Sequence, residues 1–119
     1  MTILSGADLL ARYAEGQRDF RGVDIDDGSD PLSGADLRGA DFTGAYIVAD
    51  LAGAKLQDCV FREANVKTCV FDGSDLTGAT FQGAALCGAT FEDATLTGAQ
   101  FEGAFYHDYV FGADELPPC

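Results

Sequence analysis

The chain has no tryptophan, one methionine and one histidine, and its 47% of apolar residues lean on alanine, with 15 glycines beside them. An interior built from such residues must be thin and closely approached, because bulky packing between separate layers is not available. Basic residues stop at Lys67: residues 68 to 119 carry 8 acids and no lysine or arginine, within a net charge of -13. Direct binding of nucleic acid or of an anionic membrane needs a basic footprint, which argues against both. A basic protein surface is the compatible partner. No apolar run is long enough to span a membrane, and MTILSGADLLARYAEG lacks a basic segment followed by a continuous apolar one, which points to a cytoplasmic protein. Four cysteines stand in spacings that match neither a disulfide framework nor a metal knuckle, so reduced thiols are expected.

What is present is a period of five. GATFQGAALCGATFEDATLTGAQFEGA, residues 78 to 104, returns an alanine every five residues and alternates Phe with Leu two residues after each alanine. On an α-helix a five-residue step rotates by roughly 140°, so these positions would form no stripe. In extended chain, residues two apart share a face, and the alanine and the following Leu or Phe both point inward. The remaining residues turn a corner, with glycine at 39, 44, 53, 73, 78, 83, 88, 98 and 103, where positive φ suits a tight bend. Each unit is one short side of a coil.

Alternating Phe and Leu stack like upon like only if the number of sides is even. Units such as ADLRG (35 to 39) and ADFTG (40 to 44) resemble the pentapeptide-repeat family. The resemblance implies an all-β solenoid, a right-handed, four-sided β-helix, here of about five coils spanning about 24 Å at strand spacing. Two irregularities test this: a four-residue step from Ile47 to Leu51 and a seven-residue step from Ile25 to Leu32 through DDGSDP. Counting sides rather than residues, one wall becomes Phe20, Phe42, Phe61, Phe81 and Phe101. The next holds Ile25, Ile47, Val66, Leu86 and Tyr106; another Leu32, Leu51, Phe71, Phe91 and Phe111; the last Leu37, Leu56, Leu76 and Leu96.

Both ends of such a tube are sheet edges that need covering. SGADLLARYAEG reads as a helix with Ser5 and Asp8 in capping-box spacing, so residues 1–17 are expected as an N-terminal helical cap, 18–116 as the β-helix and 117–119 as a tail. At the far end Tyr109 is expected in an inward alanine slot, and Pro117 and Pro118 cannot extend the ladder. Phe105, Tyr106, Tyr109 and Phe111 there either plug the last coil or bury against a second copy, and are candidate contacts of a homodimer.

Chemistry has little support. His107 falls at an outward corner beside Asp108; Cys87 stacks near it, yet the pair lacks a pocket, an oxyanion site and an orienting third group. Cys59 and Cys69 take inward alanine positions on opposite walls, too far apart for a disulfide, and Cys119 reads as a free terminal thiol. No glycine pattern matches a nucleotide loop. No enzyme activity, cofactor or metal is expected.

Function is therefore sought on the faces. On the Val66 and Leu86 wall, Tyr46, Val48, Asn65, Lys67, Ala85, Cys87, Phe105 and His107 point outward with only Asp108 acidic, a candidate partner face. On the Phe71 and Phe91 wall, Asp50, Asp72, Glu92 and Asp93 form a candidate acidic face, with Asp72 and Glu92 nearly superposed at some cost in repulsion. Three readings remain: a non-catalytic protein-interaction module, an acidic scaffold or inhibitor; a DNA mimic that binds and protects DNA gyrase, implied by some members of the resembled family, which pair through C-terminal ends; and an immunity protein for a basic toxin. Duplex DNA of about 24 Å carries roughly 14 charges, comparable to the total here. Arg38, Lys55 and Arg62 interrupt the other walls, and the projecting loops of the quinolone-resistance branch are missing.

Overall fold

Along most of the tube, among the described residues, each side of the chain hydrogen-bonds to the next turn. The structure, a computed structural model, describes residues 2–26 and 32–117. Most of the DDGSDP corner, Pro118 and Cys119 lie outside the described residues. The elements are β1 (Ile3–Leu4), α1 (Gly6–Ala14), β2 (Asp24–Asp26), β3 (Tyr46–Val48), β4 (Phe105–Tyr106) and β5 (Tyr109–Val110). Between β3 and β4 the sides are too short to count as strands and join by single parallel bridges.

These bridges define four walls. Asp19, Asp41, Val60, Thr80 and Gln100 pair in series, which stacks the following residues Phe20, Phe42, Phe61, Phe81 and Phe101. Their ring centroids are separated by 5.6, 5.3, 4.7 and 4.6 Å, all stacked, as the sequence predicts. Asp36, Lys55, Asp75 and Thr95 pair on the leucine wall, and Asp50, Val70 and Thr90 on the wall of Leu51, Phe71 and Phe91. Leu32 joins that wall, since the Gly34 N–H donates to the Ala52 carbonyl at 2.8 Å. The four-residue step from Ile47 to Leu51 is thus absorbed without loss of wall identity, and Leu32 stands on its expected wall beyond the undescribed corner.

Each corner closes with a turn, for example Ala45 N–H to the Phe42 carbonyl at 2.9 Å, with Gly44 at φ 68. Left-handed backbone is cheap for glycine and strained for other residues, yet Asp58, Glu63, Thr68 and Asp93 adopt it at equivalent corners. Where a unit carries aspartate at this position, the side chain has a local role. Asp41 and Asp75 accept the main-chain N–H two residues on, at 3.0 Å each, and also the Thr43 and Thr77 hydroxyls at 2.6 Å.

At the N-terminal end α1 has the expected capping box between Ser5 and Asp8, and Leu9 is buried against the first coil. Tyr13 donates its hydroxyl to the Arg38 carbonyl at 2.7 Å, and the Arg18 guanidinium lies over the Tyr13 ring. The sequence reading missed β1, which pairs in parallel with β2 and seats Leu4 beneath Ile25. Two residues are too few to show a period.

The C-terminal end departs from the repeat. Spacing places the next corner at residue 108, but the positive φ comes one residue early, at His107. The chain then folds back as a hairpin, with Phe105 opposite Val110 and Tyr106 opposite Tyr109. Three inward placements are thereby corrected. Tyr106 and Tyr109 are exposed, and Phe111 leaves the Phe91 wall to lie beside Phe101, bonded through its N–H to the Ala104 carbonyl at 2.8 Å.

Candidate functional site

On the wall of Ile47, Val66 and Leu86 the register aligns Tyr46, Asn65, Ala85 and Phe105 in one outward row. Tyr46 is 47% and Phe105 37% exposed, whereas Ala85 is 8% exposed and Asn65 half-buried. Two aromatic rings three rungs apart, about 14 Å at strand spacing, therefore flank a shallow saddle of small residues. The Asn65 side-chain oxygen accepts the Lys67 N–H at 3.2 Å. Beside this row stand Val48 and Cys87, half-buried, and Lys67 and His107, exposed. Cys87 and His107 are brought together, but through the main chain: the His107 N–H donates to the Cys87 sulfur at 3.1 Å. That contact fixes the start of the hairpin turn.

The acidic face is less uniform than its sequence suggests. Asp50 pairs in register with Val70 and Thr90, two residues before the column of Asp72 and Glu92. Its carboxylate accepts the Ala52 N–H at 3.0 Å. Asp72 does sit under Glu92, and its oxygen accepts the Glu92 main-chain N–H at 3.0 Å. A hydrogen bond from the next coil thus offsets the repulsion expected between the two side chains. Asp93 occupies a corner at φ 58.

Of the candidate dimer contacts, Phe105, Tyr106 and Tyr109 are exposed, and Phe111 is buried within its own chain. A feature absent from the sequence reading lies beside them. A cavity of about 720 Å³ opens at the end of the tube between Leu86 and Phe91 on one side and Tyr106, Tyr109, Leu116 and Pro117 on the other. It accompanies the displaced corner at His107, a shift that no spacing rule reveals.

The inward thiols are fully engaged. Cys59 donates to the Leu37 carbonyl at 3.0 Å and Cys69 to the Ile47 carbonyl at 3.1 Å, each on the preceding coil. Burial pushes the Cys59 thiol up to about 12. Among the described residues no group of side chains is arranged to hold a metal ion, and no helix is long and apolar enough to cross a membrane.

A family model for pentapeptide repeats matches residues 32–47, 49–83 and 69–105, in 8 copies. Among solved structures, a pentapeptide repeat protein of Nostoc Pcc 7120 is 31% identical over 87% of this chain and 81% of its own, with a TM-score of 0.49. HetL, a pentapeptide repeat protein involved in heterocyst differentiation regulation in Nostoc sp. strain PCC 7120, is 25% identical over 78% of this chain, with a TM-score of 0.54. QnrB1, a plasmid-mediated fluoroquinolone resistance protein, is 23% identical over 72% of this chain, with a TM-score of 0.52, a likeness of fold. The chain spans 43% and 44% of those last two proteins. No curated protein sequence matches it.

Proposed function

Because the chain belongs to the pentapeptide repeat family and is built as a right-handed, four-sided β-helix, we propose that it is a non-catalytic protein-binding module acting through the face of Tyr46 and Phe105. The observation that carries this is the register Tyr46, Asn65, Ala85, Phe105, which sets two exposed rings at either end of a row of small residues. Aromatic anchors around a shallow apolar depression are the surface that protein interfaces favour at their centre. The fold holds the row rigid, since every rung is fixed by main-chain bonds such as Asn65 N–H to the Ala45 carbonyl at 2.8 Å. Little ordering entropy is then lost on binding. With a net charge of -13 around it, this face suits a partner with a basic rim. Capturing partners from cell extract with the intact chain and with Tyr46→Asp/Phe105→Asp tests the reading. A partner held by the first and lost from the second is the expected result; equal retention by both counts against it.

A second reading, an acidic mimic of duplex DNA, is favoured by the absence of lysine and arginine beyond Lys67. Main-chain bonds to Asp50 and Asp72 set against it, because they turn two of the four candidate acids toward the protein's own backbone. Gyrase supercoiling assayed with and without the chain decides this: an unchanged rate, and unchanged quinolone poisoning, removes the mimic.

A further inference from the structure

The early corner at His107 leaves the edge above Phe91 without its next rung. One coil earlier the equivalent groups are all paired. The Phe71 N–H donates to the Thr90 carbonyl at 2.8 Å, the Gly73 N–H to the Glu92 carbonyl at 2.8 Å, and the Cys69 carbonyl accepts from Thr90 at 3.1 Å. On the last coil, among the described residues, the N–H groups of Phe91 and Asp93 have no acceptor and the Ala89 carbonyl has no donor. Unpaired edge groups are a template for an added strand. The cavity of about 720 Å³ lies on this edge and is lined chiefly by apolar side chains, where the repeat would have placed the next inward residue. Its size lies within the range of clefts that bury a ligand.

We infer that this edge takes up an extended segment of a partner protein as an added strand, with one bulky apolar residue facing the cavity and basic residues at its flanks. Three donors and acceptors at strand spacing would fix the segment's main chain, and the pocket between Phe91 and Leu116 its central side chain. The basic flanks follow from charge: Glu92 and Glu115 line the cavity and Asp93 lies on the edge itself, with no lysine or arginine after Lys67. A second copy of this chain would bring the same acids to the same place, so like charges oppose that occupant. The inference rests on the protein-binding reading but uses the end of the tube rather than the Tyr46 face.

The test uses the full chain, labelled for NMR, and an end-blocked peptide Lys-Arg-Thr-Phe-Thr-Arg-Lys as probe. On binding, exchange of the Phe91 and Asp93 amides slows by about tenfold or more, and a peptide with Asp in place of the central Phe binds at least about tenfold more weakly. Ala89→Trp, which fills the cavity from a half-buried position, keeps the spectrum of the folded tube and abolishes the effect. Unchanged Phe91 and Asp93 amides overturn the inference, as does equal binding of the Asp-centred peptide, which would mark mere charge adhesion. Amides already protected before peptide is added also overturn it, with light scattering then telling a second copy from the chain's own tail. If the peptide fails while the Tyr46→Asp/Phe105→Asp variant still loses a partner, only this inference falls and the functional reading stands.

Discussion

The rings of Phe81 and Phe101 stack with centroids 4.6 Å apart and planes within 5°, at the end of a column that begins at Phe20. Phe81 also meets Phe71 and Phe91 edge-on, at 5.6 and 6.0 Å. A fully buried ring with four aromatic neighbours has little freedom to relax when a neighbour is removed, and the thin interior holds no second layer to collapse inward.

Phe81→Ala is therefore expected to lower the unfolding free energy by about 3–5 kcal/mol, and Phe81→Leu by clearly less. Urea denaturation followed by circular dichroism measures both. A loss under about 1 kcal/mol for the alanine variant would mean that the column does not stabilise the tube.

Corner backbone makes a prediction of opposite signs. Thr68 holds φ 64 and is β-branched, whereas Gly53 holds φ 66 with open space around it. Gly53→Val is expected to destabilise by about 1–2 kcal/mol through backbone strain alone, and Thr68→Gly to stabilise by a smaller amount, since glycine's extra unfolded-state freedom offsets part of the gain. Denaturation midpoints moving in the same direction for both variants would contradict this.

Thiol labelling separates the cysteines. Cys59 and Cys69 are buried and donate to carbonyls, and the Cys59 thiol is pushed up to about 12, while Cys87 is half-buried on the outside. At mildly alkaline pH an alkylating reagent should modify Cys87 in the native chain and leave Cys59 and Cys69 untouched until denaturant is added, as read by peptide mass spectrometry. Native labelling of Cys59 as fast as Cys87 would show that the tube opens readily.

Acid titration carries a definite sign. The Arg21 guanidinium, hydrogen-bonded to Asp19 at 2.9 Å, holds its carboxyl down from 3.8 to about 2, and Arg38 acts on Asp36 in the same direction. Both folded values lie below the unfolded one. Their contribution to stability is therefore present above the unfolded value of 3.8 and is lost as pH falls through the folded one, which for Asp19 is about 2. Carboxyl NMR should find the Asp19 midpoint near 2 in the parent chain and back toward 3.8 in Arg21→Ala, with Asp36 unmoved. An Asp19 midpoint that ignores Arg21 would remove the pair.

How far the sequence reaches can be read from particular residues. The Phe20 to Phe101 column and the passage through the four-residue step at Leu51 follow from a strict period, because an inward side chain that slipped would meet solvent. That Asp41 and Asp75 accept the next-but-one N–H was not legible, since it depends on corner geometry. The ends were the least legible. Leu4 and Ile3 add a rung too short to show periodicity, and the reversal at His107 hangs on a one-residue shift of positive φ. The cavity over Phe91 exists only because of that shift. The candidate face of Tyr46 and Phe105, by contrast, needed only wall identity, and the register aligns it.

The claim that the chain binds a partner through that face is tested most directly by site-specific photocrosslinking in the parent cell extract. A benzophenone side chain is placed either at Asn65, between the two rings, or at Thr95, exposed on the opposite leucine wall. The account predicts one discrete crosslinked protein from position 65, suppressed in the Tyr46→Asp/Phe105→Asp background, and none from position 95. Crosslinks of equal yield and identity from both positions, or from position 65 regardless of the two rings, would contradict it.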